Sequence, residues 1–339
     1  MTQTEVLIVG GGIAGITCAL ELENFGISVT LVEKDEKLGG LAADFCCKAS
    51  HVCNKCFACV VDKKIKEIQN KSDITSLLGW EFTGVRANSA GWIGTLKSNK
   101  GHIEEIYAQA IVIAGGIDPF EATLKGEYGY GIIKNVITAR DLEVLLREKG
   151  EIRRPSDQRY PQKIAFIQCV GSRDAELGNL YCSEVCCAYA LRMIASVNYR
   201  QRDIQFSFFY MDIQPAGANF HELLSRLRGE RNVRFIRSLP SKIYHQPLND
   251  TLAMKFIEPL SGEITEEVFD LVVLSVGMTL RKELKDLPFT QNEDGFLRED
   301  QGERGIFLTG ACLGPKDIER SITHAKAVSS QVYDYLKSR

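Results

Sequence analysis

Four cysteines, Cys169, Cys182, Cys186 and Cys187, stand in the stretch KIAFIQCVGSRDAELGNLYCSEVCCAYALR, from Lys163 to Arg192, at the spacing C-x12-C-x3-C-C. Thiolates bind iron-sulfur clusters and zinc and exchange with disulfides, so the stretch is a candidate metal or redox centre. It opens as an apolar run of strand length, Ile164 to Ile167, enters a loop at Cys169-Val170-Gly171-Ser172 and ends in a helical pattern. A dinucleotide-binding strand-loop-helix would carry its pyrophosphate-cradling glycines here, and that pattern is missing. The expectation is a nicotinamide site converted into an iron-sulfur site. The spacing matches neither a zinc ribbon nor the ferredoxin run, and buried or reactive thiols are the plainer alternative. Adjacent Cys186 and Cys187 cannot share one face of a regular helix, so two ligands there require an irregular helix start.

A second group, Cys46, Cys47, Cys53, Cys56 and Cys59, lies in FCCKASHVCNKCFACVV. Its core C-x2-C-x2-C repeats the spacing of a ferredoxin loop, which turns three thiolates toward one cube, with Cys47 or Cys46 as the fourth ligand. Four thiolates also suit a closed structural zinc site, and a single cluster drawing on both groups is a further arrangement. His51 within the group reads as a solvated loop residue, His324 as packing or surface, and Cys312, without a C-x-x-C partner, as a packed thiol. Near the amino end, Gly10-Gly11-Gly12-Ile13-Ala14-Gly15 follows the apolar run Val6 to Val9 and precedes a helical pattern through Leu22. In that setting G-x-G-x-x-G lets backbone amides approach a pyrophosphate at a helix start. Glu33, followed by Lys34, closes the next strand, Val29 to Val32, where a carboxylate takes ribose hydroxyls.

Placing these residues is a matter of α/β architecture. The chain has 339 residues, enough for two cores, with 45% hydrophobic and 25% charged residues and a formal net charge of −3. That balance gives no reason to expect nucleic acid or an anionic membrane as partner. Eleven cysteines, nine of them in two tight groups, with no basic-then-apolar leader, point to a reducing cytoplasm and to metal rather than disulfides. No apolar run approaches the roughly 18 residues that span a bilayer. After a helical pattern at Lys63 to Ile68, Gly79 to Ile93 reads as short strands. Tyr107 to Gly116 reads as a parallel strand whose small end, Ala114-Gly115-Gly116, admits a dinucleotide close to the backbone. A charged amphipathic helix, Arg140 to Lys149, precedes the polar stretch 151–162, which reads as the linker. Strands then follow at Ile204 to Tyr210, Val233 to Ile236, Met254 to Ile257 and Leu271 to Ser275, with a helix at Phe220 to Arg228. The expected division is a discontinuous flavin domain, 1–150 and 281–339 with the cysteine-rich insert 46–59, around a NAD-domain-like unit, 151–280. Asp212 takes the place of a ribose acid in that unit, without a glycine fingerprint upstream.

CVGSRD followed by YCSEVCC, the segments YMDI (Tyr210 to Ile213) and GPKDI (Gly314 to Ile318), and the amino-terminal fingerprint resemble the heterodisulfide reductase A-type family over most of the chain. The resemblance implies a thioredoxin reductase-like fold of two Rossmann-like domains. It implies FAD, with Gly39-Gly40 following Glu33 in the manner of such flavoproteins, and a [4Fe-4S] cluster on Cys169, Cys182, Cys186 and Cys187 beside it. It implies that Gly310 turns the chain toward the flavin and that the helix opening at Lys316-Asp317-Ile318 lies near the isoalloxazine. Many related flavoproteins have aspartate directly after that glycine, where this chain has Ala311. Flavin-bifurcating members have lysine where this chain has Arg192, and arginine is not equivalent there. The expected function is an electron-transfer oxidoreductase subunit, cytoplasmic and homodimeric, in sulfur metabolism, specifically sulfur oxidation or a quinone-linked counterpart in sulfate reduction. Its implied partners are other heterodisulfide reductase-like subunits and an electron-carrier or lipoate-binding protein. The alternatives are an NAD(P)H-dependent flavin disulfide reductase and a scaffold subunit with structural zinc.

Overall fold

The computed structural model describes residues 2–217, 219–299 and 305–339. The chain forms two compact units: Met1–Asp44, Phe57–Asp118 and Thr279–Arg339 make the first, and Phe45–Cys56 and Pro119–Met278 the second.

The first unit is built on a seven-stranded sheet. Its order is Ile74–Leu78, Val29–Glu33, Thr2–Val9, Ile103–Ile113, Gly91–Ser98, Trp80–Asn88, with Ile306–Leu308 also pairing on Ile103–Ile113. Strand Thr2–Val9 pairs in parallel on both sides, with Val6 opposite Val29 and Ala110. Val6, Leu7 and Ile8 are fully buried on both faces, as the unbroken apolar run requires. Strands Gly91–Ser98 and Trp80–Asn88 extend the sheet as an antiparallel meander. Helices Ile13–Asn24 and Ile318–Lys337 close the core, where Ile16, Leu20, Val328 and Val332 pack together.

The second unit has a five-stranded parallel sheet in the order Val233–Ile236, Gln205–Phe209, Lys163–Val170, Leu271–Val276, Val136–Thr138. Helices Cys186–Arg200, Phe220–Arg228 and Ala139–Lys149 pack Leu191, Leu223 and Leu142 into its core with Phe166, Phe206 and Phe208. A three-stranded antiparallel sheet, Lys242–Gln246, Thr251–Ile257 and Ile264–Phe269, accompanies it. Among the described residues, no helix is long and apolar enough to cross a membrane.

The expected division at residue 150 is displaced. Val136–Thr138 is an edge strand of the second sheet, and helix Ala139–Lys149 buries Leu142 and Leu146 in the second core, so the boundary falls at Asp118. The stretch 151–162 is not a linker: Arg154 is buried and pairs with Asp250 at 2.5 Å. The cysteine-rich insert, expected in the flavin domain, divides between the units after Cys56. Three arginines of the second unit hold its backbone there: Arg147 donates to Phe45 O (2.7 Å), Arg192 to Asn54 O (2.9 Å) and Arg200 to Cys47 O (3.3 Å).

Candidate functional site

In the first unit, five separate stretches converge on the start of helix Ile13–Asn24. A Cβ at Gly10 would lie 2.4 Å from Ala114 O, and one at Gly15 only 1.9 Å from Gly10 O, so both positions exclude larger residues. Gly12 differs, since a Cβ there would meet nothing within 4 Å. It is the helix N-cap and no side chain caps that end, which leaves the Ile13 and Ala14 turn open for an anion. Buried Glu33 accepts the Gly11 N–H at 2.6 Å and the Asp35 N–H at 3.0 Å, so its carboxylate is held against the glycine loop. Gly39 donates to Gly11 O at 2.7 Å and brings Gly40 beside Gly12. Lys34 forms an ion pair with Glu283. Ala114 is buried beneath the loop, Gly115 backs onto Leu284, and Gly116 faces open space.

The carboxy-terminal segment completes the arrangement. A Cβ at Gly310 would lie 2.7 Å from Ala14 Cβ, so Gly310 sits directly on helix Ile13–Asn24. Its N–H donates to His324 Nδ1 at 3.2 Å, while His324 Nε2 lies 3.0 Å from Glu299. His324 therefore shapes the glycine turn, a role that its place in a helical pattern did not signal. Ala311 follows within a short 3-10 turn, Gly310–Leu313, and Lys316 is half-buried beyond it. Asp317 caps helix Ile318–Lys337 by accepting the Arg320 N–H at 2.8 Å. Cys312 is a packed thiol, as expected: burial pushes it up to about 11, and Sγ donates to Thr309 O at 3.2 Å.

In the second unit, the loop after strand Lys163–Val170 gathers the four later cysteines. Cys169, Arg173 and Glu184 all adopt left-handed backbone, with φ of 60°, 56° and 57°. Non-glycine residues are rare in that region and persist only where surrounding structure dictates them. The loop is tied at several points: Arg173 N–H to Tyr181 O (3.0 Å), Asn179 Nδ2 to Gly171 O (3.0 Å) and Tyr181 Oη to Met278 O (2.7 Å). Phe120 fills the space that a Gly171 side chain would need. The Cys186 thiol hydrogen-bonds both Cys169 and Cys187, which lowers those two and raises Cys186 well above the usual thiol range. Glu184 N–H points at Cys182 Sγ at 3.2 Å, and the Gln214 backbone donates to Cys187. Burial raises Cys182. Helix Cys186–Arg200 begins at the cysteine pair with no side-chain cap, so both cysteines lie in its first turn. N–H donors aimed at sulfur and a helix start favour thiolates, against the burial that opposes them.

The insert cysteines are spread out. Cys47 and Cys53 are exposed and Cys56 half-buried in the second unit, and Cys59 is exposed in the helix Ala58–Gln69 of the first. Cys46 is buried beside the Lys48–Glu143 ion pair and donates its N–H to Glu143 at 3.0 Å. Burial and the Glu143 charge push its thiol up to about 12. His51 is exposed, its ring 6.2 Å from that of Tyr199. Arg192 is buried and turned toward the insert through Asn54. Among the described residues, no group of three or more His, Cys, Asp or Glu side chains surrounds a single point as one metal ion demands.

The matching family model is that of the pyridine nucleotide-disulphide oxidoreductases, over residues 4–167. Thioredoxin reductase of T. acidophilum superposes with a TM-score of 0.66 at 15% identity, each chain covered to 99%. That of Lactococcus lactis gives 0.63 at 17% identity, with 99% of this chain and 100% of that one covered. The fold is that of the two-dinucleotide-binding flavoproteins. Within it, the A-type iron-sulfur component of CoB–CoM heterodisulfide reductase from Methanocaldococcus jannaschii is 30% identical over 96% of this chain and 63% of its own. The A-type component of the H2:CoB-CoM heterodisulfide, ferredoxin reductase from Methanothermobacter thermautotrophicus is 35% identical over 67% of this chain and 37% of its own. The chain is thus similar to these A-type heterodisulfide reductase components, and it spans less than two thirds of their length.

Proposed function

We propose that the protein is an FAD- and [4Fe-4S]-containing electron-transfer subunit of a heterodisulfide reductase-like complex. The carrying observation is the loop of the second unit, where four thiols and their N–H donors replace a phosphate-cradling glycine loop. Cys169, Cys182, Cys186 and Cys187 would hold the cluster, whose corner ligands stand wider apart than those around one ion. Gly10, Gly12, Ile13, Ala14 and Gly15 would hold the FAD pyrophosphate and Glu33 its ribose, with Lys34, Gly39, Gly40 and Ala114–Gly116 lining the dinucleotide. Gly310, Ala311, Lys316, Asp317 and Ile318 would close on the flavin itself. FAD supplies a group that accepts two electrons and releases them singly; the chain's part is to bind, orient and exclude water. Cys47, Cys53, Cys56 and Cys59 are candidates for a second cluster or zinc. The partners are the other subunits of such a complex with an electron-carrier or lipoate-binding protein, and the chain pairs as a homodimer. Its setting is cytoplasmic sulfur metabolism, by the resemblance to short family members of sulfur oxidation.

Anaerobic purification followed by flavin, iron and acid-labile sulfide assays tests this reading. Stoichiometric flavin with iron and sulfide in equal amounts is expected, as is loss of that iron in Cys186→Ala with flavin retained. Yellow protein without sulfide, or Cys186→Ala with undiminished iron, would sink it. Rapid bleaching of the flavin by NADH or NADPH would instead support the disulfide reductase.

A further inference from the structure

Asp212 follows strand Gln205–Phe209, where a dinucleotide-binding unit keeps the carboxylate that takes ribose hydroxyls. Here the carboxylate is already engaged: Oδ1 accepts from Arg173 Nη1 at 2.6 Å and from Gln214 Nε2 at 3.1 Å. Arg173 belongs to the cysteine loop and is fixed twice, by its left-handed backbone with the bond to Tyr181 and by the carboxylate. The Asp212 carbonyl in turn lies 3.9 Å from Cys187 Sγ. Arg173 thus stands in the loop between Cys169 and Cys182, with its N–H on the carbonyl of Tyr181 beside Cys182 and its guanidinium on the residue whose carbonyl approaches Cys187.

We propose that Arg173, tethered by Asp212, is a positioning residue whose cation balances the cysteine site and sets the reduction potential of the cluster bound there. The inference rests on the cluster reading above. Reduction adds one electron and no atom, so the site becomes one unit more negative. A nearby cation favours that change and an anion opposes it, as charge and hydrogen bonding tune such potentials generally. The former ribose acid thereby becomes the tether of a charge that serves sulfur instead of sugar.

The test is a dithionite redox titration of the anaerobically purified full chain, followed by electron paramagnetic resonance, with iron content measured in parallel. Arg173→Gln is expected to lower the midpoint, a tenfold change in the one-electron equilibrium being about 59 mV. Arg173→Lys is expected to stay near wild type. Asp212→Asn, which keeps an acceptor for Arg173 but removes the anion, is expected to raise it. Shifts of the same sign, or none, overturn the inference, because a merely structural ion pair alters iron content or stability without opposed potentials. If Arg173→Gln loses its iron, the lysine variant decides: wild-type iron and midpoint uphold the role of charge, and loss of iron overturns it. Wild-type protein lacking iron and sulfide overturns the cluster reading and this inference with it; full iron with unmoved midpoints overturns this inference alone.

Discussion

Arg192 donates from Nε to the backbone carbonyl of Asn54 at 2.9 Å, joining the cysteine-bearing helix to the cysteine-rich insert. Asn54 is held again through its side chain, which accepts from Arg226 Nη2 at 2.6 Å. The guanidinium of Arg192 thus works as a clamp on the insert. Arg192→Ala is expected to cost about 1.5–3 kcal/mol, the range for a hydrogen bond to a charged group. Limited proteolysis should then cut faster within 45–56, and an unchanged cleavage rate there would contradict the clamp.

The Lys48–Glu143 ion pair is buried, each side chain 3% exposed. Removing one partner strands a charge, so Glu143→Ala should destabilise by about 3–5 kcal/mol. Combining Lys48→Met with Glu143→Gln retains an acceptor for the Cys46 N–H and should recover most of the loss. Urea midpoints followed by circular dichroism check this, and equal losses in the single and double variants would refute it.

Gly12→Ala should separate folding from cofactor binding. Its Cβ meets no protein atom within 4 Å, whereas Gly15→Ala would strike Gly10 O. Thermal melting of the flavin-free protein should be unchanged for Gly12→Ala and much lowered for Gly15→Ala. Gly12→Ala should nevertheless bind FAD weakly, because the added methyl enters the space left for the pyrophosphate. Wild-type FAD affinity in that variant would count against the site.

Acid stability should depend on Asp250. Burial acts to raise its pKa, but hydrogen bonds from Ser156 Oγ (2.5 Å), His245 Nε2 (2.9 Å) and Arg154 Nη2 (2.5 Å) outweigh burial and hold it far below the usual carboxylate range. A carboxyl depressed in the folded state contributes stability above its unfolded pKa, about 3.9, and loses it as pH falls toward the folded value. Asp250→Asn should therefore narrow the difference in stability between pH 6 and pH 3. An unaltered difference in denaturation midpoint would rule this out.

Thiol reactivity should divide the cysteines. Cys18 is fully buried and pushed up to about 12 by desolvation, and Cys312 is raised similarly, so neither should react with iodoacetamide in the native state near neutral pH. Exposed Cys47, Cys53 and Cys59 should be modified first in metal-free protein, as peptide mapping by mass spectrometry would show.

Much of this was legible because glycine and apolar periodicity report backbone demands directly. The run Val6 to Val9, Glu33 at a strand end and Gly310 before the last helix all occupy the expected places. The boundary at 150 failed because Val136–Thr138 is only three residues long, and nothing in so short a run says which sheet it joins. The polarity of 151–162 misled for a related reason: Arg154 looks solvated until Asp250, distant in sequence, meets it. Arg173 was equally invisible, since its importance lies in reaching Asp212 across 39 positions, and a lone arginine in a loop carries no period.

The division of the chain also has a bearing on biogenesis. The cysteine-bearing unit is complete once Met278 is synthesised, whereas the glycine-loop unit still awaits strand Ile306–Leu308 and its final helix. Units fold as their sequence emerges from the ribosome. The half that starts later can therefore finish earlier, and its cysteine loop could be closed before the glycine loop has a complete sheet beneath it.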